Sequence, residues 1–187
     1  MNRLNRINLP NRLTLLRIFV VPLIIVFLVK PSPLFSFLAA VVFTVAAITD
    51  WLDGHLARST GQVTTLGKLL DPIADKILMV SVYIPLVGVG RIPAWLATIM
   101  IGRELAISGL RALAATEKLV IPAGTAGKYK TGFEIAAMEF LLLNWDYKYV
   151  HFQTLGFVCL LVAMVFSLFA AVTYFLLYWR AKESVPI

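Results

Sequence analysis

Long apolar segments fill most of the chain, and short stretches rich in proline, glycine or charged residues separate them. Six of the apolar segments are predicted to cross a bilayer, because one helical crossing takes roughly 20 mainly apolar residues. The predicted spans are 13–29, 34–57, 69–89, 94–115, 132–143 and 152–179. The fifth is the shortest, and Glu134 and Glu139 interrupt it. The pattern predicts an all-α fold, a polytopic membrane bundle of about six transmembrane helices.

The segments between the spans are short. Residues 31–33, 88–93 and 122–127 contain proline or glycine and are predicted turns. Residues 1–10 place leucine and isoleucine among arginines, which predicts a short N-terminal interfacial helix on the membrane surface. No small-residue cleavage site follows this basic start, so we expect it to be retained and not removed as a signal peptide.

The composition favours lipid as the solvent. Of 187 residues, 60% are hydrophobic and 14% are charged, and the mean hydropathy is +0.86. Soluble domains are about half apolar and about a quarter charged. The length accommodates one bundle and leaves little for a separate soluble domain, so residues 1–187 are predicted to form a single membrane domain.

The positive charge has a distribution that argues against a nucleic-acid partner, although the net charge is +7. Apolar runs separate the basic residues, and six crossings place most of them on the side that holds both termini. Only Lys30, Arg91 and Lys148 fall on the other side. By the bias of lysine and arginine toward the cytoplasm, both termini are predicted to be cytoplasmic. The single cysteine, Cys159, excludes an internal disulfide.

Four of the ten acidic residues lie inside the second and third apolar segments. These four residues are Asp50, Asp53, Asp71 and Asp75. An aspartate deep in a span disfavours insertion by roughly 2.5–3.5 kcal/mol, and such residues characteristically face a cavity and a partner. The nearby cations are Arg58, Lys68 and Lys76. Three cations do not neutralise four clustered carboxylates, so the cluster predicts a functional site.

The spacing of the aspartates suits a metal site. Asp50 and Asp53 are three residues apart and Asp71 and Asp75 are four apart, so each pair projects from one helix face. Asp50 lies about eight residues, roughly 12 Å, before the cytoplasmic end of its span, and Asp75 about seven residues after the start of its own, so the two are predicted to lie at similar depths. Carboxylates without histidine or cysteine suit Mg²⁺ or Mn²⁺. Two such ions about 4 Å apart would clamp a phosphate, which indicates phosphoryl chemistry near the membrane surface.

These residues belong to a longer motif that resembles the signature of the CDP-alcohol phosphotransferase family. Its specified positions are Asp50, Asp53, Gly54, Ala57, Arg58, Gly67, Asp71 and Asp75. Segments 8–17, 102–104, 108–111 and 127–131 are similar to the bacterial phosphatidylglycerophosphate synthase branch. The resemblance implies a six-helix, homodimeric membrane enzyme that uses CDP-diacylglycerol.

The resemblance also implies a role for each matching residue. Asp50, Asp53 and Asp71 would hold the metal pair, and Asp75 would contribute to the metal site and act as the general base. The residues implied to surround the CDP-lipid are Asn11, Thr14, Arg17, Gly54, Ala57, Arg58 and Gly67. For Arg17, a side chain that extends to the membrane interface is an equally good interpretation.

The acceptor alcohol is predicted from charges in and after the fourth span. A polar stripe covering about 140° of that helix consists of Arg103, Glu104, Ser108 and Arg111. Lys128 and Lys130 follow in a predicted cytoplasmic loop. Converging arginine and lysine groups hold phosphate monoesters, so glycerol 3-phosphate fits. The alternative is that Arg103 and Glu104 form a structural pair while the other cations only reflect the cytoplasmic bias.

The predicted activity is phosphatidyl transfer from CDP-diacylglycerol to glycerol 3-phosphate, with CMP leaving, at the bacterial cytoplasmic (inner) membrane and with an active site open to the cytoplasm. A cardiolipin synthase of the same family is an alternative and would take phosphatidylglycerol as the acceptor. A divalent-cation transporter would also use intramembrane aspartates, but it would place them at the midplane. The predicted depth of the aspartates near the cytoplasmic face disfavours the transporter.

Overall fold

The structure of the chain is a computed structural model. It describes the backbone of residues 9–60, 65–117, 119, 121–122, 124–144, 146–147 and 150–183. Side chains are described from residue 19 onward within these ranges, except for residues 50–72 and 146–147. The predicted interfacial helix at residues 1–10 lies almost entirely outside the described residues.

The described residues form six helices. They are α1 (Leu9–Val29), α2 (Pro33–Thr60), α3 (Thr65–Gly88), α4 (Ala94–Thr116), α5 (Thr125–Leu143) and α6 (Phe152–Glu183). Each helix covers one predicted span, so the helical fold class is confirmed. The fifth helix needs a correction, because it begins at Thr125 and not at residue 132. Lys128 and Lys130, predicted to lie in a loop, are therefore part of α5.

A minimal hairpin between α5 and α6 was not predicted. Strand β1 (Asp146–Tyr147) pairs antiparallel with β2 (Val150–His151), with Asp146 opposite His151. Asn144 has a φ of 42°, the left-handed conformation in which asparagine commonly follows the end of a helix. Asn144 thus ends α5 and turns the chain into the hairpin.

The chain divides into two compact units, each with most of its backbone contacts inside itself. The first unit comprises residues 1–91 and 142–145. In this unit α1 packs against both α2 and α3. Ile24 and Leu28 of α1, Phe43 of α2 and Tyr83 and Leu86 of α3 are fully buried. The three helices that carry the predicted metal and CDP-lipid residues therefore share one core.

The second unit comprises residues 92–141 and 146–187. Here α4 packs against α6, and α5 contacts α6 through Phe133 and Phe166, whose ring centroids are 5.9 Å apart. Gly156 of α6 lies so close to α5 that a Cβ atom there would be 2.7 Å from the side chain of Leu141. The absence of a side chain at Gly156 permits this close helix contact.

Helix α6 has the length and composition of a membrane span, and it is the one helix of the described residues that meets both criteria over an uninterrupted stretch. Shorter apolar stretches occur at Phe19–Val29 in α1 and Pro33–Thr49 in α2. Large apolar side chains are exposed along α6, among them Val165, Phe169 and Phe175. This surface suits contact with lipid, whereas the bundle of six spans stays a prediction.

Arg91 follows α3 in a turn that closes the helix. Gly90 has a φ of +72°, and the backbone N–H of Arg91 donates to the carbonyl of Leu86 at 2.9 Å, which together form the common glycine-dependent helix end. The Arg91 guanidinium is buried and donates to the carbonyl of Leu142 at 2.7 Å and to Ser36 Oγ at 2.8 Å. Burial lowers the pKa of Arg91, but an arginine remains protonated. Arg91 thus joins the start of α2 to the last turn of α5.

We expect Arg91→Leu to destabilise the fold by about 2–4 kcal/mol, because it leaves two buried acceptors without their donor. Thermal unfolding in detergent micelles measures the effect. Lys30→Leu is the control, since Lys30 is an exposed cation just after α1. Equal melting temperatures for the two variants would contradict this role of Arg91.

Candidate active site

The four aspartates lie on α2 and α3, two consecutive helices of the first unit that both pack against α1. Asp50 and Asp53 are in α2, and Asp71 and Asp75 are in α3, so the helical spacing on which the predicted pairs depend is present. The side chains of Asp50, Asp53 and Asp71 are outside the described residues. Asp75 is exposed, next to the buried Ala74 on the core side of α3. The carboxylate that is predicted to act as the general base therefore lies at the surface and not in the core.

The predicted CDP-lipid residues lie on the same three helices. Their backbone positions are Asn11, Thr14 and Arg17 in α1, Gly54, Ala57 and Arg58 in α2, and Gly67 in α3. Their side chains are outside the described residues. Because α1 packs against α2 and α3, the fold brings these helices together, as one nucleotide-lipid site requires.

The predicted metal site falls mostly on side chains outside the described residues. Within that part of the chain, no three histidine, cysteine, aspartate or glutamate residues are grouped closely enough to hold an ion. Three of the four predicted ligands lie outside it. The metal assignment thus continues to rest on the spacing and chemistry of the carboxylates.

The polar stripe of α4 continues into an ion-pair cluster with α5. Glu104 Oε2 accepts hydrogen bonds from Arg103 Nη1 at 3.0 Å and from Lys130 Nζ at 2.9 Å. Lys130 Nζ also pairs with Glu134 Oε2 at 2.6 Å, one helical turn further along α5. We call these four residues the α4–α5 cluster. It holds two cations and two carboxylates and connects the two helices.

Arg103 also fixes the cluster to α6. Its Nε donates to the backbone carbonyl of Ser167 at 2.8 Å, and the Ser108 hydroxyl donates to the carbonyl of Glu104 at 2.8 Å within α4. The side chain of Arg103 is 11% exposed. Its guanidinium is therefore oriented by two partners, one of which is a backbone group that does not depend on Glu104.

Of the four cations predicted to bind the acceptor, Arg103 and Lys130 have largely covered side chains, and the other two are exposed. The side chain of Lys130 is only 11% exposed and sits between two carboxylates, and its predicted place in a loop is wrong because it belongs to α5. Arg111 and Lys128 are exposed. The Arg111 guanidinium lies 5.4 Å from the ring centroid of Tyr174 on α6, a cation–π contact that limits its freedom.

A separate carboxylate site follows the end of α4. Glu117 accepts hydrogen bonds from the Tyr178 hydroxyl at 2.8 Å and from Lys182 Nζ at 3.1 Å. These two bonds hold the pKa of Glu117 below its ordinary value. A lowered carboxyl pKa stabilises the folded state at neutral pH, and the contribution disappears as the pH falls through the lowered pKa.

The contacts of two residues in this region were not predicted from the sequence. Glu134 was recognised only as an interruption of an apolar segment, although its spacing of four from Lys130 is the signal for a helical ion pair. Tyr174 gives no spacing signal, because its contact with Arg111 depends on the packing of α4 against α6.

Comparisons with known proteins agree with the resemblance seen in the motif. Residues 7–179 match the CDP-alcohol phosphatidyltransferase family. A Bacillus subtilis protein is 36% identical, and the match covers 95% of this chain and 98% of that protein. A Rickettsia bellii protein is 36% identical with 90% and 93% covered, and a Haemophilus influenzae protein is 32% identical with 90% and 92% covered. All three are named CDP-diacylglycerol–glycerol-3-phosphate 3-phosphatidyltransferase.

Proposed function

The chain belongs to the CDP-alcohol phosphatidyltransferase family, and we propose that it transfers the phosphatidyl group of CDP-diacylglycerol to glycerol 3-phosphate, giving phosphatidylglycerophosphate and CMP. The observation that carries this proposal is the match, over nearly the whole chain, to relatives named for that reaction. The complete aspartate motif on α2 and α3 supports the chemistry, and the cations on α4 and α5 support the acceptor.

The metal would be held by carboxylates of the first unit. The proposed ligands are Asp50, Asp53, Asp71 and Asp75. Their all-oxygen donor set fits two Mg²⁺ or Mn²⁺ ions. When bound, the ions would supply positive charge at the diphosphate and so improve CMP as a leaving group.

The proposed reaction forms one bond to phosphorus, breaks another and requires a base to take up one proton. The acceptor hydroxyl oxygen forms a bond to the lipid-bearing phosphorus, the bond from that phosphorus to the CMP oxygen breaks, and the hydroxyl proton moves to a base. We assign the base to Asp75, an exposed carboxylate on α3. A positioned base contributes typically about 10²–10⁴ in rate. The small side chains at Gly54, Ala57 and Gly67 of the motif would leave space beside the carboxylates for the CDP group.

The acceptor phosphate would be recognised by the second unit. The proposed set is Arg103, Arg111, Lys128 and Lys130. Arg111 and Lys128 are exposed and would meet the ligand first. Arg111 lies seven residues beyond Glu104 on α4, about 10 Å along the helix, toward the connection to α5. An exposed arginine in cation–π contact with Tyr174 offers a planar donor group with restricted freedom, which suits a phosphate.

We expect Arg111→Gln to reduce kcat/KM for glycerol 3-phosphate about ten- to a hundredfold, because one charge-assisted contact is worth roughly 1.5–3 kcal/mol. The effect should be in KM for this acceptor, with KM for CDP-diacylglycerol nearly unchanged. Arg180→Gln is the matched control, an exposed arginine near the end of α6. Equal effects on both substrates would remove Arg111 from the acceptor site.

The proposed setting is the bacterial cytoplasmic (inner) membrane. We propose that the six helices span the bilayer as one domain, with both termini and the active site on the cytoplasmic side, and that the enzyme is a homodimer. The apolar exposed surface of α6 supports membrane contact. The distribution of lysine and arginine supports the orientation.

A single assay tests the reaction. Purified protein receives CDP-diacylglycerol with Mg²⁺ and either glycerol 3-phosphate or phosphatidylglycerol, and mass spectrometry identifies the lipid product. We expect phosphatidylglycerophosphate. Cardiolipin as the exclusive product would overturn the acceptor and leave the aspartate chemistry in place. Metal uptake by proteoliposomes without any lipid product would instead indicate a cation transporter.

A further inference from the structure

The carboxylate of Glu104 occupies a position that an anionic ligand would take. One oxygen, Oε2, lies 3.0 Å from Arg103 Nη1 and 2.9 Å from Lys130 Nζ. Charge-assisted hydrogen bonds from arginine or lysine to carboxylate or phosphate oxygens have about this length. A phosphate oxygen placed at the same point would meet the same two donors.

Glu104 is also the most exposed member of the α4–α5 cluster. Its side chain is 33% exposed, compared with 11% for both Arg103 and Lys130 and 6% for Glu134. The two cations are thus covered, in part by the Glu104 carboxylate itself. A glutamate side chain has several rotatable bonds, and the Ser108 hydroxyl donates to the backbone carbonyl of Glu104 and not to its carboxylate. Its carboxylate can rotate away without breaking α4.

The cations would keep their places if Glu104 left. Arg103 Nε remains bound to the carbonyl of Ser167, and Lys130 remains paired with Glu134. The charges of Arg103, Lys130 and Glu134 then sum to one positive charge, with two donors directed at one point. That arrangement is prepared for an anionic oxygen, whereas the complete cluster is neutral.

We propose that Glu104 is an internal substitute for the acceptor phosphate: it occupies the place between Arg103 and Lys130 until a phosphate monoester displaces it. This inference rests on the proposed acceptor and deepens it. The exposed Arg111 and Lys128 attract the ligand, and displacement of Glu104 then gives the phosphate the two covered cations. A phosphate dianion competes with a carboxylate for these donors, whereas a weaker anion or an uncharged alcohol does not. Glu104 therefore sets the specificity for a phosphorylated acceptor.

The test compares anion affinity in purified protein without CDP-diacylglycerol. Glu104→Gln has nearly the same shape but lacks the charge, so calorimetry should show inorganic phosphate and glycerol 3-phosphate binding about three- to tenfold more tightly than in the unaltered protein. Glu104→Asp keeps the charge on a side chain too short to hold both donors, and it should bind phosphate with intermediate affinity. If Glu104→Gln does not fold, Glu104→Asp still tests whether the carboxylate competes with phosphate.

Glu117→Gln is the matched control. Glu117 is 31% exposed, similar to Glu104, and also pairs with a lysine, but it lies outside the cluster. We expect no change in phosphate affinity for this variant. Unchanged or weaker phosphate binding in both Glu104 variants would overturn the proposal and make Glu104 only a positioning residue for the two cations.

The outcome is separable from that of the proposed function. If the Glu104 variants bind phosphate more tightly but the enzyme makes no phosphatidylglycerophosphate, the results support displacement of Glu104 by phosphate and contradict glycerol 3-phosphate as the acceptor. If the enzyme makes phosphatidylglycerophosphate while phosphate affinity does not rise in either variant, the results support glycerol 3-phosphate as the acceptor and contradict the proposed role of Glu104.

Discussion

Asp50→Asn and Asp71→Asn are each expected to reduce phosphatidyl transfer by at least about a hundredfold at ordinary Mg²⁺ concentration. Loss of a residue that only hydrogen-bonds to a metal ligand typically lowers metal affinity or activity by about 10–100-fold, and loss of a ligand itself lowers it more. The amide keeps the size of the side chain but removes the charge that attracts the cation. Turnover measured across a Mg²⁺ and Mn²⁺ titration should show partial rescue at high metal concentration, because affinity is what the substitution lowers.

Glu183→Gln provides the comparison for the aspartate variants. Glu183 is an exposed carboxylate at the end of α6, far along the chain from the motif, and its substitution makes the same chemical change. It should leave turnover and its metal dependence unaltered. Near wild-type turnover of Asp50→Asn or Asp71→Asn at ordinary metal concentration would show that the residue in question is not a ligand.

Asp75→Asn is expected to lower the rate of the chemical step by at least about 10² while CDP-diacylglycerol binding stays largely intact. A general base takes part in proton transfer and not in holding the nucleotide-lipid. Asp75 is exposed on α3, as a base that meets an acceptor hydroxyl has to be. Single-turnover kinetics measure the chemical step, and equilibrium binding of the CDP-lipid measures the other quantity.

The two measurements divide the possible roles of Asp75. Loss of rate with retained binding identifies a base. Loss of binding in proportion to the loss of rate would make Asp75 chiefly a metal ligand or a residue required for folding. A variant that retains both would place the base elsewhere among the carboxylates.

The helices were largely predictable because apolar length and turn residues mark their limits. Five of the six predicted spans agree closely with the helices, and α4 begins at Ala94 as predicted. The start of α5 was not predictable from apolar residues, since Gly127, Lys128 and Lys130 occur there and are not typical of a span. Helical ion-pair spacing between Lys130 and Glu134 is the local signal that extends α5 toward its observed start at Thr125.

The partners of the charged side chains were less predictable than the helices. Spacing on α4 indicated that Arg103 and Glu104 share a polar stripe with Arg111. It gave no indication that Glu104 binds Lys130, because that contact joins two helices and depends on how they pack. Burial separates Lys130 from Lys128 although both are lysines of the same turn of α5. Tertiary packing, which one sequence does not encode in any periodic pattern, decides such differences.

The α4–α5 cluster has no net charge, and this lowers the free energy of transferring α4 and α5 together into a bilayer. Taken one at a time, α4 and α5 each carry charges that disfavour transfer into hydrocarbon. Taken together, Arg103, Glu104, Lys130 and Glu134 contribute zero net charge and are joined to one another by ion pairs. The transfer free energy of the assembled pair is therefore lower than the sum of the two separate values. Hydropathy calculated helix by helix thus underestimates the affinity of this part of the chain for a bilayer.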